Sequence, residues 1–111
     1  GMSSIQSLHL KRIEHYVNFH LDDPDLIPTK VAAASHFAVK YLHKLFTDLP
    51  YTFSEWIKEL RLKQANHILK TKSYVTIDEV AHRVGYGDQG YFSRIYKQHF
   101  GYSPRDTPSI G

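Results

Sequence analysis

The sequence predicts an all-α fold in which two similar helical units are joined by one long helix. Two observations support this prediction. Apolar residues recur at three- and four-residue spacing along most of the 111-residue chain, which is the period of one helix face. A pattern of short helix, turn and longer helix also occurs twice, with an offset of 49 or 50 residues.

The first unit begins with a predicted helix over Ile5–Leu21. Its apolar stripe contains Ile5, Leu8, Ile13, Tyr16, Val17 and either His20 or Leu21. The acidic run at 22–25 predicts a loop, because carboxylates are unfavourable at a helix C-terminus. A second helix is predicted over Pro28–His36, since proline suits a first helical turn and Thr29 can cap it. The third helix is predicted over 40–48.

A long helix is predicted between the two units, over Thr52–Lys70. Thr52 and Glu55 have the spacing of a capping box. The apolar stripe contains Phe53, Trp56, Ile57, Leu60, Ala65, Ile68 and Leu69. We expect three exposed cations that are solvated or approach phosphates: Lys58, Arg61 and Lys63.

The second unit contains the clearest start and stop signals. Thr76 and Glu79 match a capping box, and Gly85 supplies the left-handed residue that often ends a helix. A further helix is predicted over Asp88–Gly101, with Asp88 as a natural N-cap. Short helix, glycine-containing turn and second helix together form a helix-turn-helix unit.

The two units align as an internal duplication. The matched positions are Val31-Ala32 with Val80-Ala81, Phe37 with Tyr86, and Leu45-Phe46 with Ile95-Tyr96. Two candidate units in register support the helix-turn-helix interpretation more strongly than one.

The outer faces of the two longer helices are polar and free of acids. They carry Lys40, Tyr41, His43 and Lys44 in the first, and Gln89, Gly90, Ser93, Arg94 and Lys97 in the second. Gln and Arg form the bidentate pairs that distinguish adenine and guanine edges. The alternative is a helical protein–protein interaction module, which would expose large apolar side chains. The polar faces favour double-stranded DNA.

Composition excludes several other classes. The chain has no cysteine, a net charge of +3 and a pI near 9.1, and no apolar run reaches the ~18 residues of a membrane span. No two of the eight histidines lie three or four residues apart, so no helix pairs them on one face for a metal. No nucleophile, phosphate loop or carboxylate pair suggests an enzyme. We expect no cofactor, no metal and no membrane partner.

The chain resembles the DNA-binding domain of the AraC/XylS family of bacterial transcription regulators over roughly residues 5–105. The family's signature is matched in order and spacing by Ile77–Ala81, Val84–Tyr86, Asp88–Arg94, Tyr96-Lys97 and Phe100–Arg105, and its linker helix by Leu60–Ala65. The resemblance implies about seven helices in two homeodomain-like subdomains, 4–51 and 72–105, with a linker helix at 52–71. Residues 1–3 then form an expression remnant and disordered start, and 106–111 a tail.

The resemblance also implies how the chain meets DNA. Both longer helices enter successive major grooves on one DNA face, about one turn (roughly 34 Å) apart, which a linker helix of roughly 27 Å can span. The implied base-facing positions are Lys40, His43 and Lys44, with Tyr41 beside them, and Gln89, Gly90, Ser93 and Arg94. Lys97 takes a phosphate-side position. Tyr91 contacts a thymine methyl or a sugar, or packs.

The resemblance further implies partners and context. We expect a cytoplasmic activator that is part of a longer protein with a ligand-sensing or dimerisation domain, and RNA polymerase as a further partner. Two departures from the family pattern are visible. The loop 48–51 is one residue short and has Pro50 where glycine is common. The tail 106–111 lacks the usual aromatic and basic residues, so a final helical turn is not expected.

Overall fold

The computed structural model describes residues 1–72 and 74–110, and its regular structure there is entirely helical. The α-helices are α1 (Ser4–Phe19), α2 (Pro28–Ala34), α3 (Val39–Thr47), α4 (Phe53–Thr71), α5 (Ile77–Arg83) and α6 (Gln89–Phe100). A 3₁₀ turn, Pro104–Asp106, follows α6. The predicted all-α fold is confirmed, and the helix count is close to the expected seven. None of the helices in these ranges is both long and apolar enough to cross a bilayer.

The chain folds into two compact units. Unit 1 contains residues 1–20 and 25–58, and unit 2 contains residues 21–24 and the chain from residue 59 onward. The long helix α4 belongs to both, because residues 53–58 lie in unit 1 and the rest in unit 2. The short loop 21–24 belongs to unit 2 although its neighbours in sequence belong to unit 1.

Unit 1 buries one face of each of its helices. The buried apolar residues are Ile13, Val17, Leu26, Val31, Ala32, Leu42, Leu45, Phe46, Phe53, Trp56 and Ile57. The predicted stripe of α1 is wrong at its start, since Ile5 and Leu8 are 58% and 61% exposed. The expectation of a disordered start is corrected at Ser3, whose side chain accepts a hydrogen bond from the backbone N–H of Gln6 in a capping box.

Unit 2 has a continuous apolar core. It contains Leu62, Ala65, Ile68, Val80, Ala81, Val84, Phe92, Ile95 and Tyr96. Leu62, fully buried, is absent from the predicted stripe of the long helix. The tail contacts this core at Thr107: the hydroxyls of Tyr96 and Thr107 are 2.6 Å apart, and the Asn66 amide donates to Tyr96 at 2.9 Å. The 3₁₀ turn supplies the final helical turn that the sequence did not predict.

Helix capping differs between the two helix-turn-helix pairs, α2 with α3 and α5 with α6. In unit 2, Thr76 accepts from the backbone N–H of Glu79, as predicted. At the start of α4 both bonds of the capping box between Thr52 and Glu55 form, at 2.8 and 3.1 Å. In contrast, neither α2 nor α3 has a side-chain cap. The suggested cap at Thr29 is wrong, because Ile27 occupies the N-cap position.

The internal duplication extends to the backbone of the two turns. The N–H of Phe37 donates to Ala32 O, and that of Tyr86 donates to Ala81 O, each at 2.8 Å. The residue before each aromatic is left-handed, with φ of 63° at His36 and 90° at Gly85. The offset in both comparisons is 49 residues. The same turn is therefore built with histidine in unit 1 and with glycine in unit 2.

Gly85 is required for space as well as for conformation. A Cβ at this position would lie 2.5 Å from the backbone oxygen of Leu21 and 2.7 Å from Cζ of Arg61. The loop 21–24 can approach the turn this closely only because residue 85 has no side chain. His36, which is exposed, has no such constraint and carries only the cost of a left-handed backbone, about 1–2 kcal/mol for a residue with a Cβ.

We expect opposite stability effects from substitutions at these two equivalent positions. Gly85→Ala should lower the free energy of unfolding by at least about 2 kcal/mol, through left-handed strain and the contact with Leu21. His36→Gly should raise it by about 0.5 kcal/mol, because relief of strain exceeds the added entropy of the unfolded chain. Thermal and urea unfolding followed by circular dichroism measure both. Destabilisation by His36→Gly would contradict this account of the turn.

Candidate nucleic-acid interface

The second helix of each helix-turn-helix pair, α3 in unit 1 and α6 in unit 2, presents the predicted site residues. We call α3 and α6 the recognition helices. Eight of the ten predicted residues are exposed: Lys40, His43, Lys44, Gln89, Gly90, Tyr91, Arg94 and Lys97. The other two, Tyr41 and Ser93, are half-buried. Each unit thus brings its own set together along one helix, on the side opposite the buried stripe.

The start of α6 is fixed by a local cap. The carboxylate of Asp88 accepts a hydrogen bond from the backbone N–H of Tyr91 at 3.0 Å. An added Cβ at Gly90 would lie 3.2 Å from that carboxylate oxygen, so a side chain at this position would crowd the cap. Phe92, Ile95 and Tyr96 are buried beneath the helix. The cap and the buried stripe together set which side chains point outward.

Aromatic contacts organise the exposed side of α6. The Tyr91 ring lies 5.9 Å from the Tyr86 ring in the preceding turn. The guanidinium of Arg94 lies 5.4 Å from the centre of the Tyr91 ring, within the range of a cation–π interaction. The guanidinium of Arg94 therefore packs on Tyr91, although Arg94 as a whole is exposed to solvent.

The Tyr41 side chain of α3 is fixed by contacts with α1 and with the turn before α3. Its hydroxyl lies 2.5 Å from Nδ1 of His9 in α1, and its ring lies 5.3 Å from that of Phe37. Lys40, His43 and Lys44 extend from the same helix into solvent. Because Tyr41 contacts His9 and Phe37 within unit 1, it is less exposed than Lys40, His43 and Lys44.

Both recognition helices carry a net positive charge. Neither α3 nor α6 contains Asp or Glu, and their last turns carry Lys44 in α3 and Lys97 with His99 in α6. Asp88, the acid at the start of α6, is engaged as the cap of that helix. Faces of this kind attract phosphates and present donors to base edges.

The expectation that Arg61 is an exposed cation is wrong. Arg61 is 7% exposed, and its Nη2 donates to the backbone oxygen of Asp23 at 2.6 Å. Its Nη1 lies 3.5 Å from the Gly85 oxygen, and its Cζ lies 5.4 Å from the centre of the Tyr86 ring. Burial lowers the pKa of Arg61 from its ordinary value, while Tyr86 and Asp23 oppose that shift. Arg61 supports the turn of unit 2 from inside and does not face a phosphate.

Sequence comparison identifies the family. The pattern of the helix-turn-helix domain matches residues 31–108, which is most of the chain. The chain belongs to the AraC/XylS-type helix-turn-helix family. The chain is a helix-turn-helix domain of the type that AraC-type transcription regulators carry.

Individual relatives agree with this assignment. The transcriptional activator NphR of a Rhodococcus species is 30% identical over 95 residues, covering 86% of this chain and 28% of NphR. The C-terminal domain of AraT, a response regulator from Geobacillus stearothermophilus, has a TM-score of 0.80 at 30% identity, over 99% of this chain and 90% of that domain. The AraC-type chain spans less than a third of the length of NphR.

One structural neighbour was solved with nucleic acid. The DNA-binding domain of AdpA, in complex with a target DNA, has a TM-score of 0.74 at 21% identity, over 86% of each chain. At this identity the likeness concerns the fold alone. For the domain as a whole, the family favours a DNA-binding role over the alternative of a helical protein–protein interaction module.

Sequence reasoning missed His9 and gave Arg61 the wrong role, and both residues lie next to the site. His9 supports Tyr41, and Arg61 supports the turn before α6. A signal for Arg61 was present in the duplication, because an offset of 49 pairs it with Arg12. No comparable signal marks His9, since the equivalent position 58 is a lysine.

We expect the cap of α6 to contribute measurably to stability. Asp88→Ala should lower the free energy of unfolding by about 1 kcal/mol, because the backbone N–H of Tyr91 loses its acceptor. Asp88→Asn is the matched control and should retain most of that stability, since the amide oxygen still accepts. Urea unfolding compares the variants. Equal losses in Asp88→Asn and Asp88→Ala would contradict the role of the side chain as a cap.

Proposed function

We propose that this AraC-type domain reads duplex DNA with two recognition helices, each entering a major groove. The observation that supports the proposal most directly is the repeated acid-free outer face of α3 and α6, whose opposite sides are buried. A helix with this division of residues fits the major groove, which is about 12 Å wide and displays a distinct pattern for every base pair. The long helix α4, shared by both units, serves as the linker.

In α6 we assign base reading to Arg94 and Gln89. Both residues are exposed on α6, and their side chains form bidentate hydrogen bonds with guanine and adenine edges. Ser93, half-buried between them, contributes a hydroxyl to a base or phosphate. Tyr91, 43% exposed, offers its ring to a thymine methyl or a sugar. Lys97 is assigned to a phosphate.

Gly90 takes a different role in α6. It has no side chain to read a base, and the Asp88 carboxylate lies close to where its Cβ would be. The bare first turn lets the DNA backbone approach the helix N-terminus, whose N–H groups and dipole favour an anion.

In α3 the assigned groups are Lys40, His43 and Lys44, with Tyr41 as a lesser contact. The three exposed side chains are donors of different length, so the first helix combines base contact by His43 with phosphate contacts by the lysines. Phosphate contacts position a protein on DNA, whereas base contacts specify the sequence.

The context of the domain follows its relatives. NphR is a transcriptional activator, and we propose activation by this chain in the bacterial cytoplasm, with RNA polymerase as a partner. We also propose that a ligand-sensing or dimerisation domain controls it.

Arg94→Ala and Lys97→Ala should affect binding in different ways. Binding sites are first selected from random duplex DNA, and affinity for the selected duplex and a shuffled duplex is then measured by fluorescence anisotropy at several salt concentrations. Arg94→Ala should cost about 1–3 kcal/mol on the selected duplex and relax the preference at one base pair. Lys97→Ala should weaken both duplexes alike and reduce the salt slope by about one.

Equal loss on both duplexes for Arg94→Ala would assign Arg94 to a phosphate. Gln98→Ala, an exposed change on the same helix with no assigned contact, is the control. If the unmodified chain enriches no sequence at any salt concentration, the proposed reading by two helices is contradicted.

A further inference from the structure

Each unit contains an arginine that holds its own helix-turn-helix turn. In unit 1, Nη1 of Arg12 donates to the backbone oxygen of Ser35 at 3.3 Å, and its Cζ lies 4.8 Å from the centre of the Phe37 ring. In unit 2, Arg61 approaches Gly85 O at 3.5 Å and lies 5.4 Å from the centre of the Tyr86 ring. Each arginine thus combines a carbonyl contact with an aromatic face.

These contacts are equivalent by position as well as by chemistry. Arg12 and Arg61 are 49 residues apart, as are Phe37 and Tyr86, and the same offset relates α2 to α5. The carbonyls that the two arginines contact are offset by one residue. Ser35 is the C-cap of α2, whereas Gly85 follows the C-cap Val84 of α5. The repeat therefore includes an arginine on the helix that precedes each helix-turn-helix pair, α1 in the first and α4 in the second.

Arg12 donates to the C-cap carbonyl of α2, and Arg61 approaches the carbonyl just after the C-cap of α5. The last carbonyls of a helix have no intrahelical partner, and a cation near them is favoured by the helix dipole. A planar guanidinium donates to such a carbonyl while stacking on a ring. Lysine provides the charge without the fork or the flat face.

The aromatic rings extend each contact to the recognition helix. The Phe37 ring lies 5.3 Å from the Tyr41 ring, and the Tyr86 ring lies 5.9 Å from the Tyr91 ring. In unit 2 the series ends at Arg94, over Tyr91. Because these rings pack against one another, a shift of the turn would also shift the exposed side chains of the recognition helix.

We propose that Arg12 and Arg61 are positioning residues for sequence readout, each orienting the recognition helix of its own unit through the turn aromatic. This inference rests on the proposed function of α3 and α6. Arg61 is buried, with its Nη2 bound to the Asp23 oxygen at 2.6 Å, so it acts on DNA only through the turn. Arg12 is more exposed, so the first unit is held less tightly.

The test uses Arg61→Lys and Arg12→Lys in the full chain, because lysine keeps the positive charge and lacks the planar guanidinium with its several N–H donors. Sites are selected from random duplex DNA for each variant, and affinities for the wild-type site and a shuffled duplex are measured across salt concentrations. Arg61→Lys should weaken the wild-type site about tenfold, the effect of one poorly read base pair. Binding to the shuffled duplex and the salt slope should stay unchanged.

The recovered motifs separate positioning from general destabilisation. Arg61→Lys should relax the block of bases read by α6 and leave the block read by α3, and Arg12→Lys should do the reverse. Arg105→Lys, an exposed arginine of unit 2, is the matched control and should change neither block. Circular dichroism establishes that each variant is folded at the temperature used.

Several outcomes would overturn the inference. Equal weakening on both duplexes with a salt slope lower by about one would make the arginine a phosphate contact. Relaxation of both blocks together, or of neither in a folded variant, would also contradict it. If Arg61→Lys fails to fold, Arg12→Lys decides the matter, because that site is exposed. A wild-type chain that does not distinguish the two duplexes contradicts the proposed function instead.

Discussion

The close approach at Gly85 is the constraint on which the second unit depends. Two helices can meet across so short a turn only if one residue adopts a left-handed backbone, here with φ of 90°. The absence of a side chain there also admits the Leu21 carbonyl and the Arg61 guanidinium. Because Arg61 then lies against Tyr86, one glycine links the loop 21–24, the helix α4 and the turn that precedes the recognition helix.

The first unit meets the same geometric requirement with different residues. His36 adopts φ of 63° in place of glycine, α2 and α3 lack side-chain caps, and Arg12 is exposed rather than buried. The second unit has capped helices and a buried guanidinium. The two halves of the duplication therefore build the same turn with different degrees of burial and capping.

The sequence predicted the features that depend on local chemistry. The caps at Thr52, Thr76 and Asp88, the left-handed Gly85 and the duplicated turns are confirmed, because each depends on residues a few positions apart. It failed at Arg61, since a charged residue on an amphipathic helix is normally solvated and only the tertiary contact with the loop 21–24 buries it. The outward faces of α3 and α6 were predictable from periodicity. The contact between Tyr41 and His9 was not, because it joins separate helices.

Directed cleavage of DNA tests most directly the claim that both recognition helices face the duplex. The chain contains no cysteine, so His43→Cys and Ser93→Cys each give a unique attachment point for a DNA-cleaving iron chelate, with Asn18→Cys on α1 as the control. On a selected duplex, the two positions should direct cleavage to separate segments about 10 base pairs apart. Cleavage from only one helix, or patterns that match the control, would contradict the account.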